Sequence, residues 1–270
     1  MNTNMKVKNS TESILCRLCS GGLDLRFSAR VLDKYDVQYF KCNNCQSLQT
    51  ETPFWLNEAY EESNLTNLDT GVAQRNLSNL AASFLVSKLF TLTNAIDFGG
   101  GDGLLCRLMR DYSINCFVLD KFASPTYAQG FDQPDFVEPD LLVAFEVLEH
   151  LGCPNSDLDL IFRFDPKVLL FSTAIYSNES HNWWYLSAET GQHVFFYSAE
   201  AFRIIAERYG YESVISGSYI LLAKPNLLNG IKKLLVKVLL NKYFVRIFRS
   251  IIFILPTRGV WLDHESKLKN

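Results

Sequence analysis

The sequence predicts an α/β protein: a Rossmann-like sheet, preceded by a small cysteine-bearing module and followed by a basic helical tail. Three observations carry this reading. From residue 94 short apolar runs alternate with helical patterns, which implies parallel strands with helices on both faces. The first of those runs ends in a glycine cluster, Asp97-Phe98-Gly99-Gly100-Gly101-Asp102-Gly103. Ahead of them stand two Cys-x-x-Cys pairs, Cys16/Cys19 and Cys42/Cys45.

Composition sets the outer bounds. The chain has 270 residues, 48% hydrophobic and 20% charged, enough for one large domain with small appendages and little disorder. Seven cysteines, unevenly placed and odd in number, exclude a disulfide scaffold of this size. The opening MNTNMKVKNS lacks an apolar signal core, and the longest uncharged run, Asn76 to Ser87, is too short to span a bilayer. A cytoplasmic chain with reduced thiols is expected. The net charge of −3 argues against a nucleic-acid partner for the whole chain.

The elements follow in order. Residues 13–52 carry the cysteine pairs among polar turns and short apolar runs, and form the predicted zinc-binding module. Residues 53–93 read as linker and helix, with Leu77, Leu80, Phe84 and Leu85 near a helical period between Gly71 and Leu92. Residues 94–226 form the sheet domain. Ala95–Phe98, Ile114–Leu119, Asp140–Val147 and Lys167–Ile175 are its strands, with helices over Leu104–Tyr112, Asn155–Phe164 and Ala199–Tyr209. Ser198 suits an N-cap, since its hydroxyl accepts a first-turn N–H, and Gly210 supplies the stop. Ser213–Ile215 and Tyr219–Ala223, joined by Ser216-Gly217-Ser218, close the domain as an antiparallel hairpin. Residues 227–270 are the basic tail.

The glycine cluster sits at a strand-to-helix turn, where glycine permits positive φ and lets a ligand approach the backbone. The dinucleotide fingerprint requires glycine where Leu104 stands, so a ligand without a pyrophosphate fits better. Asp97 can accept from an ammonium group. Asp120, ending the next strand, can take both hydroxyls of a ribose. The plain alternative is a tight turn with Asp120 as a helix cap.

This constellation resembles motif I and the following acidic motif of class I S-adenosylmethionine-dependent methyltransferases. The resemblance continues through Asp140-Leu-Leu-Val-Ala-Phe-Glu146-Val-Leu-Glu149-His150-Leu151. It implies a seven-stranded sheet with a reversed last strand and S-adenosylmethionine as cofactor. Asp97, Gly99, Gly101 and Gly103 would surround its methionyl and ribose parts, and Asp120 would hold the ribose hydroxyls. Phe145 and Glu146 would line the methyl-transfer cleft. Between Asp120 and Asp140 the family has a helix and a further strand, for which this stretch is short. Phe131 and Asp132 are the candidates there for the adenine contact.

Each Cys-x-x-Cys pair places two thiolates on one turn, and two pairs complete a tetrahedral zinc site. Cys16, Cys19, Cys42 and Cys45 leave no open position, so such a site is structural. Redox dithiols and unrelated thiols are the alternatives. A four-cysteine module ahead of this core resembles the sugar C-methyltransferases of deoxysugar biosynthesis and methyltransferases of surface-polysaccharide pathways. That resemblance implies a small-molecule acceptor, a sugar or glycan intermediate.

In those sugar enzymes a Glu-His-x-x-Tyr-Phe-Ser segment precedes the same helix, and its histidine is the proposed base. Here Gln192-His193-Val-Phe-Phe196-Tyr197-Ser198 keeps the histidine, with glutamine for glutamate and Phe196 for tyrosine. A neutral imidazole at His193 also suits a hydroxyl acceptor. His150 is the second candidate base. Trp183, Trp184 and Tyr185 are expected to offer an apolar platform for a sugar ring, or to pack as a lid or core contact.

Between Ile231 and Arg258 the tail holds Lys232, Lys233, Lys237, Lys242, Arg246, Arg249 and Arg258, and no acid. With −3 overall, the remainder carries −10. A break near Asn241 separates two helical faces. The tail is expected either to meet anionic lipid at a membrane surface or to pack on its own domain or a partner subunit. Two rival functions stay open: a non-catalytic zinc-stabilised interaction module, and a nucleic-acid methyltransferase. The latter lacks an Asn/Asp-Pro-Pro-Tyr type motif.

Overall fold

The computed structural model describes residues 15–61 and 69–269. Residues 13 and 14 of the predicted module and 62–68 of the predicted linker lie outside them. The order is β1 (Leu23–Val31), β2 (Tyr35–Cys42), β3 (Leu48–Thr50), α1 (Leu56–Glu61), α2 (Val72–Phe90), β4 (Asn94–Phe98), α3 (Leu104–Asp111) and β5 (Asn115–Leu119). There follow β6 (Leu141–Phe145), α4 (Pro154–Phe162), β7 (Val168–Ser172), β8 (Phe195–Phe196), α5 (Ala199–Tyr209), β9 (Glu212–Ser216) and β10 (Tyr219–Ala223). The tail adds α6 (Gly230–Leu239), α7 (Lys242–Ile251) and α8 (Arg258–Leu268).

The large sheet runs β5-β4-β6-β7-β10-β9. Its first four strands are parallel, and β10 is antiparallel to both β7 and β9. The expected reversed hairpin is present. The expected count of seven strands is corrected to six among the described residues: 121–139 form neither strand nor helix. Pro125, Pro134 and Pro139 cannot donate to a ladder, and Gly130 adds a positive φ. The outer edge of β5 is met instead by an irregular chain. The Phe131 carbonyl accepts from the Val118 N–H at 2.8 Å.

Helices cover both faces of this sheet. On one, Leu80 and Ala81 of α2 and Leu105 and Met109 of α3 pack on Val143, Leu170 and Leu221. On the other, Leu158 and Phe162 of α4 and Phe202 and Ile205 of α5 pack on Leu142, Phe171 and Ile220. Helix α5 keeps its predicted bounds. The Ser198 hydroxyl accepts from the Ala201 N–H at 3.0 Å, and Gly210 ends the helix at φ 75°.

The cysteine module is a hairpin, β1 against β2, with β3 beside it. Its sheet is completed by β8, a segment from between β7 and α5, pairing Leu48 with Phe196 and Gln49 with Phe195. Arg17, half-buried between the first two cysteines, ties the two parts further. It donates to the carbonyls of Gly152 (3.0 Å), Thr50 (3.2 Å) and Val194 (2.6 Å). Burial pulls this guanidinium down to about 10, so each of these carbonyls helps keep it charged.

The tail breaks where the pattern placed it. Helix α6 ends at Leu239, and the Asn241 side chain caps α7 by accepting from the Tyr243 N–H at 3.0 Å. Val236, Leu240, Val245 and Ile252 are buried on the body, and Phe248 stacks on Phe84 of α2. Helix α8 lies so close to α3 that a Cβ on Gly259 would fall 1.7 Å from the Arg110 carbonyl oxygen. Arg110 and Arg107 grip Asp263 of α8 at 2.6 and 2.7 Å. No helix among the described residues is long and apolar enough to cross a membrane.

Candidate functional site

The glycine turn links β4 to α3. Gly99, Gly101 and Gly103 all hold positive φ, at 71°, 57° and 81°, conformations that side chains resist. A Cβ on Gly99 would meet Val147 at 2.7 Å, and one on Gly103 would meet Ala128 at 2.9 Å. Beside Gly101 there is nothing within 4 Å. The turn is thus closed at two glycines and open at the middle one, which leaves free space beside the backbone.

Asp120 organises this opening. One carboxylate oxygen accepts from the Gly101 N–H at 2.9 Å. The other accepts from the N–H groups of Phe122 and Ala123 at 2.7 and 2.8 Å. Phe122 stacks on Tyr60 of α1, with ring centroids 5.6 Å apart. Burial, with Glu149 and Asp120 nearby, pushes the Tyr60 phenol up to about 12. The segment expected to be linker and helix therefore reaches the Asp120 turn. Asp97 is almost wholly buried under the turn, and its Oδ2 has no hydrogen-bond partner. Burial pushes its carboxyl up to about 7, against a backbone hydrogen bond from Cys106 that favours the charge.

Strand β6 lies beside β4, so its end opens next to the turn. Phe145 packs edge-on against Tyr219. Glu146 holds φ 53°, unusual for a non-glycine residue, with its N–H bonded to the Ser172 carbonyl at 3.1 Å. The Ser172 hydroxyl donates to its Oε1 at 2.7 Å. Burial, then repulsion from Glu149, pushes the Glu146 carboxyl up to about 7. Glu149 is fully buried and raised likewise. The Tyr185 hydroxyl donates to Glu149 Oε1 at 2.6 Å, and Glu149 Oε2 is left without a partner. Glu149, Ser172, Tyr60 and Arg75, whose charge reaches both glutamates, were missed as site residues. The spacing of Glu146 and Glu149 was the only visible signal.

Three expectations need correction. Tyr185 is buried, its hydroxyl is committed to Glu149, and Trp183 is half-buried against Tyr176, Tyr185 and Phe196. An open platform of three aromatics does not form; Trp184, 77% exposed, is the one that faces solvent. Phe131 lies beneath the tail, its ring centroid 3.6 Å from the Arg110 guanidinium and 4.6 Å from the Lys267 ammonium. It is thereby occupied as a packing residue rather than available to adenine. Asp132 beside it is exposed. His150 is a poor base, because burial drives it down to about 3.

His193 is placed differently. Its Nδ1 lies 2.8 Å from the Tyr185 carbonyl. That nitrogen must donate, which leaves Nε2 as a free lone pair. Burial lowers its pKa, so the ring is neutral at pH 7. The His150 and His193 rings meet edge to face at 4.9 Å.

Cys16, Cys19, Cys42 and Cys45 offer Sγ atoms all within 4.8 Å of one another. Cys16 and Cys45 are 3.6 Å apart, and Cys19 and Cys42 are 3.5 Å apart. A tetrahedron of zinc–sulfur bonds has edges of about 3.8 Å, so the four thiols fit that ion. The Asn44 N–H pointing at Cys42 Sγ, 3.3 Å away, is the contact a thiolate on a knuckle accepts. Cys106, Cys116 and Cys153 lie elsewhere and are unpaired.

No curated protein matches the chain. Among solved structures, the methyltransferase domain of bacterial CtHen1-C is 20% identical, covering 55% of this chain and 98% of that one, with a TM-score of 0.41. Magnesium protoporphyrin IX methyltransferase from Synechocystis PCC 6803, with bound SAH, is 12% identical, covering 64% and 97%, with a TM-score of 0.44. An N1-methyltransferase of 1,6-didemethyltoxoflavin from Burkholderia thailandensis is 11% identical, covering 67% and 95%, with a TM-score of 0.45. The family described as a methyltransferase domain matches residues 68–216, more than half of the chain. With its open glycine turn and reversed terminal hairpin, the chain belongs to that methyltransferase-domain family.

Proposed function

We propose that the chain transfers a methyl group from S-adenosylmethionine to a hydroxyl of a sugar or glycan intermediate. The observation that carries this is the open glycine turn held by Asp120, with Glu146 at the end of the adjacent strand. Both stand at the carboxyl ends of parallel strands, where such sheets bind ligands. Bound S-adenosylmethionine supplies an electrophilic methyl on its sulfonium. The chain presents backbone at Gly101, a carboxylate at Asp120 for ribose hydroxyls, and the buried Asp97 toward the cationic methionyl end. His193, neutral and with Nε2 free, receives the acceptor's proton. Methyl transfer itself is mainly a matter of holding oxygen and methyl in line. The sugar acceptor rests on the resemblance and on the exposed Trp184.

Asp97 makes the reading testable through pH. Its carboxyl is held near 7, and a cationic ligand prefers the ionised form. Affinity for S-adenosylmethionine is therefore expected to rise from pH 6 to pH 8, and Asp97→Asn should flatten that slope. Calorimetric titration at both pH values decides it; a wild-type affinity independent of pH contradicts the role. Labelled methyl transfer from S-adenosylmethionine to a panel of nucleotide sugars tests the acceptor class.

Zinc at the four cysteines and a membrane contact through residues 231–258 belong to the same reading. Packing on the body buries one face of the tail but leaves Ile231, Leu234, Ile247, Phe253 and Ile254 exposed among the lysines and arginines. That pattern suits an anionic lipid surface. Sedimentation with phosphatidylglycerol vesicles, and not with phosphatidylcholine vesicles, is the expected result; Ile247→Asp should abolish it. Equal behaviour with both lipids would contradict the charge argument.

A further inference from the structure

The cluster behind Glu146 contains more unpartnered binding capacity than proton transfer requires. Glu149 Oε2 and His150 Nδ1 are buried without hydrogen-bond partners. His193 has Nδ1 engaged by the Tyr185 carbonyl, which leaves Nε2 open. One ligand atom from each of Glu149, His150 and His193 falls within 4.8 Å of the others. Burying Glu149 Oε2 and His150 Nδ1 without partners is costly.

We propose that Glu149, His150 and His193 hold a divalent metal ion, with Glu146 beside it. Two imidazoles and one carboxylate form a ligand set that first-row divalent ions accept, and it leaves coordination positions open. The surroundings match what such ligands require. The Tyr185 carbonyl fixes the tautomer of His193. Backbone carbonyls orient metal-bound imidazoles in this way. The Tyr185 hydroxyl bonds to Glu149 at 2.6 Å and lies 3.4 Å from Glu146, joining the two carboxylates through one phenol.

This site is distinct from the four cysteines, which are a closed sulfur site far along the chain. It deepens the function proposed above and rests on its hydroxyl acceptor. An acceptor hydroxyl bound to the ion loses its proton more readily. The proton passes to the Glu146 carboxylate. The oxygen pair then forms the new O–C bond, and the S–C bond pair returns to sulfur. His193 on this view holds the ion, and its Nε2 no longer takes the proton.

The test is Mn2+ binding by the full-length chain, followed by loss of the free-ion electron paramagnetic resonance signal. Wild type should bind one ion. Glu149→Gln and His193→Asn should weaken it about tenfold or more, while Glu207→Gln, at an exposed carboxylate of α5, leaves it unchanged. S-adenosylmethionine binding, measured by calorimetry on the same samples, should survive in both site variants and shows that they are folded. Absence of saturable Mn2+ binding by wild type overturns the proposal, as does unchanged binding in the two variants. Mn2+ binding without any methyl transfer would instead retain the ion and overturn the acceptor reading.

Discussion

Replacing Asp120 with alanine is expected to weaken S-adenosylmethionine binding by about 100-fold or more, which calorimetric titration will register as loss of the signal. The size follows from what one carboxylate does. It accepts from Gly101 and from Phe122 and Ala123, and bonds to a charged group contribute about 1.5–3 kcal/mol each. Losing it frees the glycine turn and the Phe122 segment together. The stacked Tyr60 then loses its support across the cleft. Asp120→Asn retains one acceptor oxygen and should lose less. Unchanged binding in the alanine variant would mean that the turn is only a tight connection.

The second large effect concerns the cysteines. The purified chain is expected to carry one zinc per molecule by elemental analysis, and Cys45→Ser or chelation should lower the melting temperature by about 10 °C or more. Structural zinc contributes roughly 10 kcal/mol or more of apparent binding free energy in small modules, comparable with the whole stability of a domain. Cys16, Cys42 and Cys45 are buried, so an unmetallated cluster leaves desolvated thiols at the heart of a packed sheet. Methyl transfer should fall in the same variant. The module reaches the site through Arg17, whose guanidinium holds the Val194 carbonyl next to His193. Melting that is insensitive to both chelator and substitution would exclude zinc and favour free thiols.

The parts of this structure legible in the sequence are those governed by local rules. Helix α5 was readable because Ser198 caps it and Gly210 ends it. Strands β4 to β7 announced themselves as short apolar runs. The glycine turn was legible through residues whose backbone geometry few others tolerate. What was not legible depended on partners distant in sequence. Tyr185 reads equally as a platform or a packed core aromatic, since nothing local reveals that its hydroxyl meets Glu149. Phe131 looked available to a base because the Arg110 and Lys267 that enclose it arrive from other helices. The missing seventh strand was visible as a shortage of residues, and its cause is three prolines in the stretch that would have formed it. Strands β1 and β2 were unread because their mixed polar pattern hides a hairpin whose register is set by the cysteine turns at its base.

Strand β8 bears on the order in which the chain can fold. Gln49 of β3 pairs with Phe195, so that edge stays unsatisfied during synthesis until most of the sheet domain has been made. Unpaired edges of this kind invite association with other chains. The β1–β2 hairpin can fold early from its own contacts, but β3 must wait. The two Phe residues of β8 then close the small sheet as they position His193 beside them. Completion of the fold and assembly of the cleft are in that sense one event, and a chain released before residue 196 would have neither.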